Sequence, residues 1–199
     1  MSVLPYGGSA VLVESQDVLG LQAALESAPP AGVVELVPAA RTLLVRFDPA
    51  VVEAASLTRL LSSVSAVDVA TGTSDVVTVP VRYDGADLAD VAEVSGLSVR
   101  EVVSLHSSAS YVVSFCGFAP GFAYLTGLDP ALHLPRRSVP RTRVPAGSVA
   151  IAGEYSVVYP RPSPGGWHLV GTSSLPMWDV ERDPPNRLTP GTRVRFEAV

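Results

Sequence analysis

The chain has 199 residues, 47% hydrophobic and 17% charged, with 19 acidic against 14 basic residues and a formal net charge of −5. That balance excludes a disordered chain and general nucleic-acid binding, and the single cysteine, Cys116, excludes an internal disulfide and a cysteine-based metal site. All 14 basic residues are arginine, which also excludes Schiff-base chemistry, a pyridoxal-phosphate anchor and a P-loop lysine.

In chain order, Ser9–Glu14 reads as a strand and residues 16–28 as a helix, with Val18, Leu21 and Leu25 at helical spacing and Asp17 placed to cap it. Val33–Val37 and Thr42–Phe47 are apolar runs joined by a four-residue Pro-Ala-Ala-Arg turn, the pattern of a hairpin. Asp48-Pro49 then opens a second helix, with Val52, Leu57, Leu60 and Leu61 expected to face inward. Val76–Tyr83 reads as a closing strand in which Pro80 favours a sheet edge. The order strand-helix-strand-strand-helix-strand predicts a ferredoxin-like βαββαβ sandwich over residues 1–83.

Beyond Asp84 the pattern changes. Asp87–Ser95 and Ser98–Ser107 read as short helices, the second opened by the Ser-Val-Arg-Glu of a capping box. Tyr111–Phe115, Ser148–Ala152, Ser156–Tyr159, His168–Val170 and Arg193–Glu197 read as short strands between Pro and Gly turns, predicting a small barrel or sandwich over residues 84–199. Charge divides the same way: residues 1–99 carry 4 Arg and 12 acids, and residues 100–199 carry 10 Arg and 7 acids. The first 40 residues contain no Arg or Lys, against a secretory signal, and the uncharged run Val102–Leu128 is broken by Ser, Gly and Pro, against a membrane span. A cytoplasmic protein is expected.

Three segments of the second half invite a chemical reading. In Gly117–Leu125 (GFAPGFAYL), two glycines and a proline confine the backbone while Phe118, Phe122 and Tyr124 project from it. Such rings form either the wall of a ligand groove or a plug in the barrel end. In Pro135–Pro145 (PRRSVPRTRVP), Arg137, Arg141 and Arg143 on an extended path suit a carboxylate or phosphate, or equally a contact with acidic side chains. In Ser163–His168 (SPGGWH), Gly165-Gly166 makes a sharp turn and lets a ligand approach the backbone. The three histidines, His106, His133 and His168, lack paired ligand spacing, so no metal site is expected. Cys116, in an apolar run, reads as an inert thiol.

In this order, with Val144–Gly153 (VPAGSVAIAG), Ser163–Gly171 (SPGGWHLVG) and Leu188–Phe196 (LTPGTRVRF), the segments resemble the family called 5-oxoprolinase B-type subunit, allophanate hydrolase subunit 1 or sporulation-kinase inhibitor, the carboxyltransferase subdomains C and D. The resemblance implies an α+β chain, a ferredoxin-like domain followed by a cyclophilin-like β-barrel. It implies a heteromer with a C-type (allophanate hydrolase subunit 2) partner and a third subunit. The associated activity is ATP-dependent opening of 5-oxoproline, a small cyclic amide, to glutamate. For that activity the expected catalytic residues are His106, as an acid/base because a histidine titrates near neutrality, and Arg137 and Arg141, as stabilisers of developing charge; substrate contacts are expected from Phe118, Pro120, Phe122, Tyr124, Arg143, Ser148, Gly165, Gly166 and Trp167. The alternative is a regulator that docks on a histidine kinase, or another partner, through the same aromatic groove. The sequence departs from the family at Thr172-Ser173-Ser174, where Arg-Thr-Pro is usual, at Tyr155-Ser156-Val157, where a polar stretch is usual, and at Thr192, where Asp is usual.

Overall fold

A computed structural model describes residues 1–67 and 76–199. The chain divides into two compact units, Met1–Thr73 and Ser74–Val199. In the first, strands β1 (Ser2–Pro5), β2 (Ala10–Glu14), β3 (Val33–Pro38) and β4 (Thr42–Phe47) form an antiparallel sheet in the order β1-β2-β4-β3. Helix α1 (Val18–Ser27) packs on β3 and β4, and α2 (Ala54–Ser63) on β1 and β2. The alternation of β4 turns Leu43, Val45 and Phe47 inward against Leu21, Leu25, Leu57 and Leu61. Asp17 caps α1, its carboxylate accepting from the Gly20 N–H at 2.8 Å.

Two features differ from expectation. Asp48 closes a turn, its carbonyl accepting from the N–H groups of Val51 and Val52, so α2 begins only at Ala54 and Leu60 lies on its exposed side. The edge beside β2, which a ferredoxin-like order would give to the closing strand, is held by β1. Strand β5 (Val77–Val81) instead runs parallel to the last strand of the second unit, so the expected boundary after residue 83 falls inside that unit.

The second unit adds α3 (Leu88–Ser95), α4 (Val99–Ser108) and strands β6 (Tyr111–Cys116), β7 (Ala123–Thr126), β8 (Arg141–Val144), β9 (Ser148–Ala152), β10 (Tyr155–Val158), β11 (Ser163–Gly165), β12 (His168–Thr172) and β13 (Arg193–Ala198). Seven strands form one sheet in the order β12-β9-β10-β7-β6-β13-β5. Its two ends meet where Arg82 and Thr172 exchange backbone hydrogen bonds of 2.9 and 2.8 Å, leaving a nearly closed barrel. Gly171 permits this, because a Cβ there would lie 2.5 Å from the Arg82 carbonyl oxygen. Val79, Val81, Val113, Leu125, Val149, Ile151 and Phe196 fill the interior. The Ser98–Glu101 capping box starts α4 as expected. Strands β8 and β11, which carry two of the arginines and the Gly-Gly turn, pair separately.

Candidate functional site

The hairpin from β6 to β7 builds one wall of a groove. Its turn is closed by hydrogen bonds from the Gly117 N–H to the Phe122 carbonyl (3.1 Å) and from the Phe122 N–H to the Ala119 carbonyl (2.9 Å). Phe118 is held at φ +68°, a left-handed conformation disfavoured for an aromatic residue, and the residue stays 61% exposed. Gly121, at φ +79°, also has no room for a Cβ, which would lie 2.7 Å from that of Trp178. The turn buries Phe122 as an anchor, its ring edge-on to Tyr159 at 5.1 Å, to Phe118 at 5.1 Å and to Trp167 at 6.3 Å. Phe122 is thus buried as a plug, and Phe118 projects into solvent.

The opposite wall comes from β11 and the residues after it. The Arg137 N–H donates to the Gly166 carbonyl at 2.7 Å, tying the arginine-rich segment to the Gly-Gly turn. The close approach that requires glycine here is made by the protein: a Cβ on Gly165 would lie 2.2 Å from the Tyr159 hydroxyl, whereas one on Gly166 would meet nothing nearer than 3.5 Å. Between the walls lies a groove of about 90 Å³ lined by Phe118, Phe122, Tyr124, Tyr159, Trp167 and the Gly165-Gly166 backbone, with Arg136 and Pro164 at its side. Arg136 sets its guanidinium carbon 5.8 Å from the Trp167 ring centre. Burial raises the phenol pKa of Tyr124, and pushes that of Tyr159 up to about 12 against the opposing charges of Arg136 and Arg141.

Outside the groove lining, an acid that the sequence reading does not single out engages the arginine-rich segment. Asp87 stands just before α3 but does not cap it; its buried carboxylate accepts from Arg137 Nη1 (2.6 Å), Arg141 Nη2 (2.7 Å), Arg141 Nη1 (2.9 Å) and the Leu169 N–H (2.8 Å). Burial alone would raise its pKa; the Arg141 hydrogen bond, the Leu169 N–H and the two positive charges outweigh burial and hold it below the usual carboxylate value. Arg137 also lies 3.5 Å from Asp90. The two arginines expected to face substrate are therefore already paired, and their common work is to fasten the 137–141 segment to β12.

His106 is enclosed in the barrel core. Tyr83 Oη lies 2.8 Å from its Nδ1 and Ser156 Oγ 2.8 Å from its Nε2, and Phe196 stacks on it at 4.6 Å. Burial pushes its pKa down to about 3. It does not line the groove, so the geometry gives it a packing role where an acid/base role was expected. Among the other expected contacts, Phe118, Phe122, Tyr124, Gly165, Gly166 and Trp167 are brought together, whereas Pro120 is an exposed turn residue, Arg143 is exposed on β8 and Ser148 is buried in β9. Arg136, Tyr159 and Asp87 are the residues that sequence reasoning missed. Arg136 lies inside the quoted motif, but nothing local separates it from Arg137. At the departures from the family pattern, Thr172 closes the barrel and Tyr155 packs edge-on to Phe115 and Tyr124. Burial raises the Cys116 thiol pKa, and its Sγ donates to the Leu188 carbonyl at 3.3 Å. Among the described residues no three His, Cys, Asp or Glu side chains gather to hold a metal, and no helix is long and apolar enough to cross a membrane.

Three of the segments that gave the resemblance, Gly117–Leu125, Pro135–Pro145 and Ser163–Gly171, supply all of the groove lining but Tyr159, and the family model for the carboxyltransferase domain, subdomain C and D, matches residues 1–188. The chain belongs to that family. It is 54% identical over 126 residues to the B-type 5-oxoprolinase subunit of Escherichia coli O157:H7, covering 62% of this chain and 58% of the relative. It is 42% identical over 127 residues to the B-type 5-oxoprolinase subunit of Bacillus subtilis (strain 168), covering 62% and 53%. The chain therefore spans a little over half the length of these curated relatives. The crystal structure of TTHA0988 matches with a TM-score of 0.81 at 42% identity, over 96% of this chain and 40% of that one.

Proposed function

We propose that this chain is a B-type subunit of a heteromeric 5-oxoprolinase, contributing substrate binding to the ATP-dependent opening of 5-oxoproline to glutamate. The supporting observation is the convergence of the aromatic turn, Trp167 and Arg136 on one groove in a chain 54% identical over 126 residues to a B-type 5-oxoprolinase subunit. Ring opening adds water across the lactam C–N bond: the carbonyl carbon gains a hydroxyl, the nitrogen gains a proton, and ATP is hydrolysed to ADP and phosphate. No serine, cysteine, histidine or carboxylate lines the groove among the described residues. Tyr159, at about 12, is no base near neutral pH. At about 90 Å³ the groove is far below the roughly 300–1,000 Å³ of a pocket for a drug-sized ligand, so a nucleoside triphosphate does not fit it. In this reading the chain supplies binding and orientation, while a C-type partner and a third subunit supply the nucleotide site and the activation of the lactam oxygen.

The test is an omission assay: the full-length protein is combined with the C-type and third-subunit partners, 5-oxoproline and ATP, and glutamate is measured. Glutamate release that requires this chain supports the proposal. Release at the same rate without it, or stable partner binding with no turnover, rejects it; the second outcome would favour a regulator that docks through the exposed Phe118.

A further inference from the structure

Arg136 is the only charged side chain that lines the groove among the described residues, and no carboxylate there lies within ion-pair distance of it. The neighbouring Arg137 and Arg141 are both engaged by Asp87, so an anion entering the groove finds one cation available to it. The Trp167 ring, 5.8 Å from the guanidinium carbon, holds that cation over the cavity. Holding the side chain there before the ligand arrives lowers the entropy lost on binding.

The groove is small, about 90 Å³, a size that suits a compact polar head group. A carboxylate also matches the planar fork of a guanidinium bidentately, while a neutral lactam oxygen would leave the positive charge unbalanced.

We infer that Arg136 is the specificity-determining residue of the groove: it grips the carboxylate of a small amido acid, with Trp167 and Phe118 against the ring edge. This rests on the 5-oxoprolinase reading and deepens it. Substrate bound by its acid end leaves its lactam C–N bond at the mouth of the groove, outside a cavity that lacks a nucleophile. The scissile bond is thereby presented to groups from the partner subunits.

The experiment uses the assembled enzyme with wild-type chain, Arg136→Gln and Arg136→Lys. A hydrogen-bonded ionic contact of about 1.5–3 kcal/mol corresponds to a rise in KM for 5-oxoproline of about 10- to 100-fold in Arg136→Gln, with kcat changed much less. Arg136→Lys restores part of the loss. Inhibition by 2-pyrrolidinone, the same lactam without a carboxylate, is expected to be equal in wild type and Arg136→Gln. A fall in kcat at unchanged KM, or an equal weakening of 2-pyrrolidinone, overturns the inference. If the wild-type assembly releases no glutamate, the 5-oxoprolinase reading fails by itself. Arg136 is then judged by calorimetric titration of the full chain with 5-oxoproline and with 2-pyrrolidinone. Binding of the acid alone, lost in Arg136→Gln, supports a carboxylate site; binding equal in both proteins, or none, overturns it.

Discussion

Replacing Asp87 by Asn tests how the groove is fastened. The substitution keeps shape and removes one charge. Each carboxylate oxygen accepts two hydrogen bonds: Oδ1 from Arg137 and Arg141 at 2.6 and 2.7 Å, and Oδ2 from Arg141 and the Leu169 N–H at 2.9 and 2.8 Å. An amide can replace only one of these oxygens as an acceptor. Its NH₂ then faces two donors, and either the Leu169 N–H or an arginine pair is left without a partner. Breaking a buried ion pair by removing one member costs about 3–5 kcal/mol. The guanidinium side chains of Arg137 and Arg141 keep 30% and 27% of their surface in water, which places this case at the low end, about 3 kcal/mol. For a chain of this length that corresponds to a melting temperature lowered by about 6–12 °C. The pH dependence carries its own signature. Because the folded carboxyl sits below the unfolded value of 3.8, its contribution is fully present above that value and is lost as pH falls through the lower folded pKa. Urea unfolding at pH 7 and at pH 3 reads both effects: a wide gap between wild type and Asp87→Asn at neutral pH that narrows in acid. A gap below about 1 kcal/mol at pH 7 would refute the buried network as the fastening of the groove.

Other expectations concern neighbouring features. His106 has a folded pKa of about 3 against an ordinary 6.5, so between these values the unfolded chain binds a proton that the native chain does not. Its contribution makes stability fall by about 1.4 kcal/mol for each pH unit of acidification in that window. Urea titrations of His106→Gln are expected to lack that share of the slope, and equal slopes would place the imidazole in contact with water. Gly165→Ala, whose Cβ would collide with the Tyr159 hydroxyl, is expected to cost about 1–3 kcal/mol, while Gly166→Ala, with open space around it, changes stability by less than about 0.5 kcal/mol. The reverse order in thermal melts would contradict the account of the Gly-Gly turn. Phe118→Gly removes a left-handed conformation costing about 1–2 kcal/mol at the loss of an exposed ring, so it is expected to leave the melting temperature unchanged or raised; a drop of several degrees would show that the ring supports the fold.

Local chemistry explains what the sequence made legible. The alternation of Thr42–Phe47, the cap at Asp17 and the capping box at Ser98 act within a few residues of themselves, and each appears where it was read. The destination of Val77–Val81 was not local: β1 takes the place beside β2 in the first sheet, and β5 pairs with β13, Val77 opposite Val194, 117 residues further along the chain. At the site, the aromatic turn and Gly165–Trp167 announce themselves by composition, and the structure gathers both at one groove. The role of the arginines was illegible for the opposite reason. Asp87 lies 50 residues from Arg137 and 54 from Arg141, in a stretch that reads as an ordinary helix start. Nothing in Pro135–Pro145 tells which of its guanidinium groups has an acid beneath it. His106 could not be placed either, since a histidine on a helix face reads alike whether the face is buried or wet.

The most direct test of the groove as substrate site is glutamate release from 5-oxoproline and ATP by the assembled enzyme carrying Phe118→Ala, set beside its thermal melt. Phe118 is an exposed wall residue, so the account predicts a loss of kcat/KM of about tenfold with an undiminished melting temperature. Wild-type kcat/KM in that variant would contradict it.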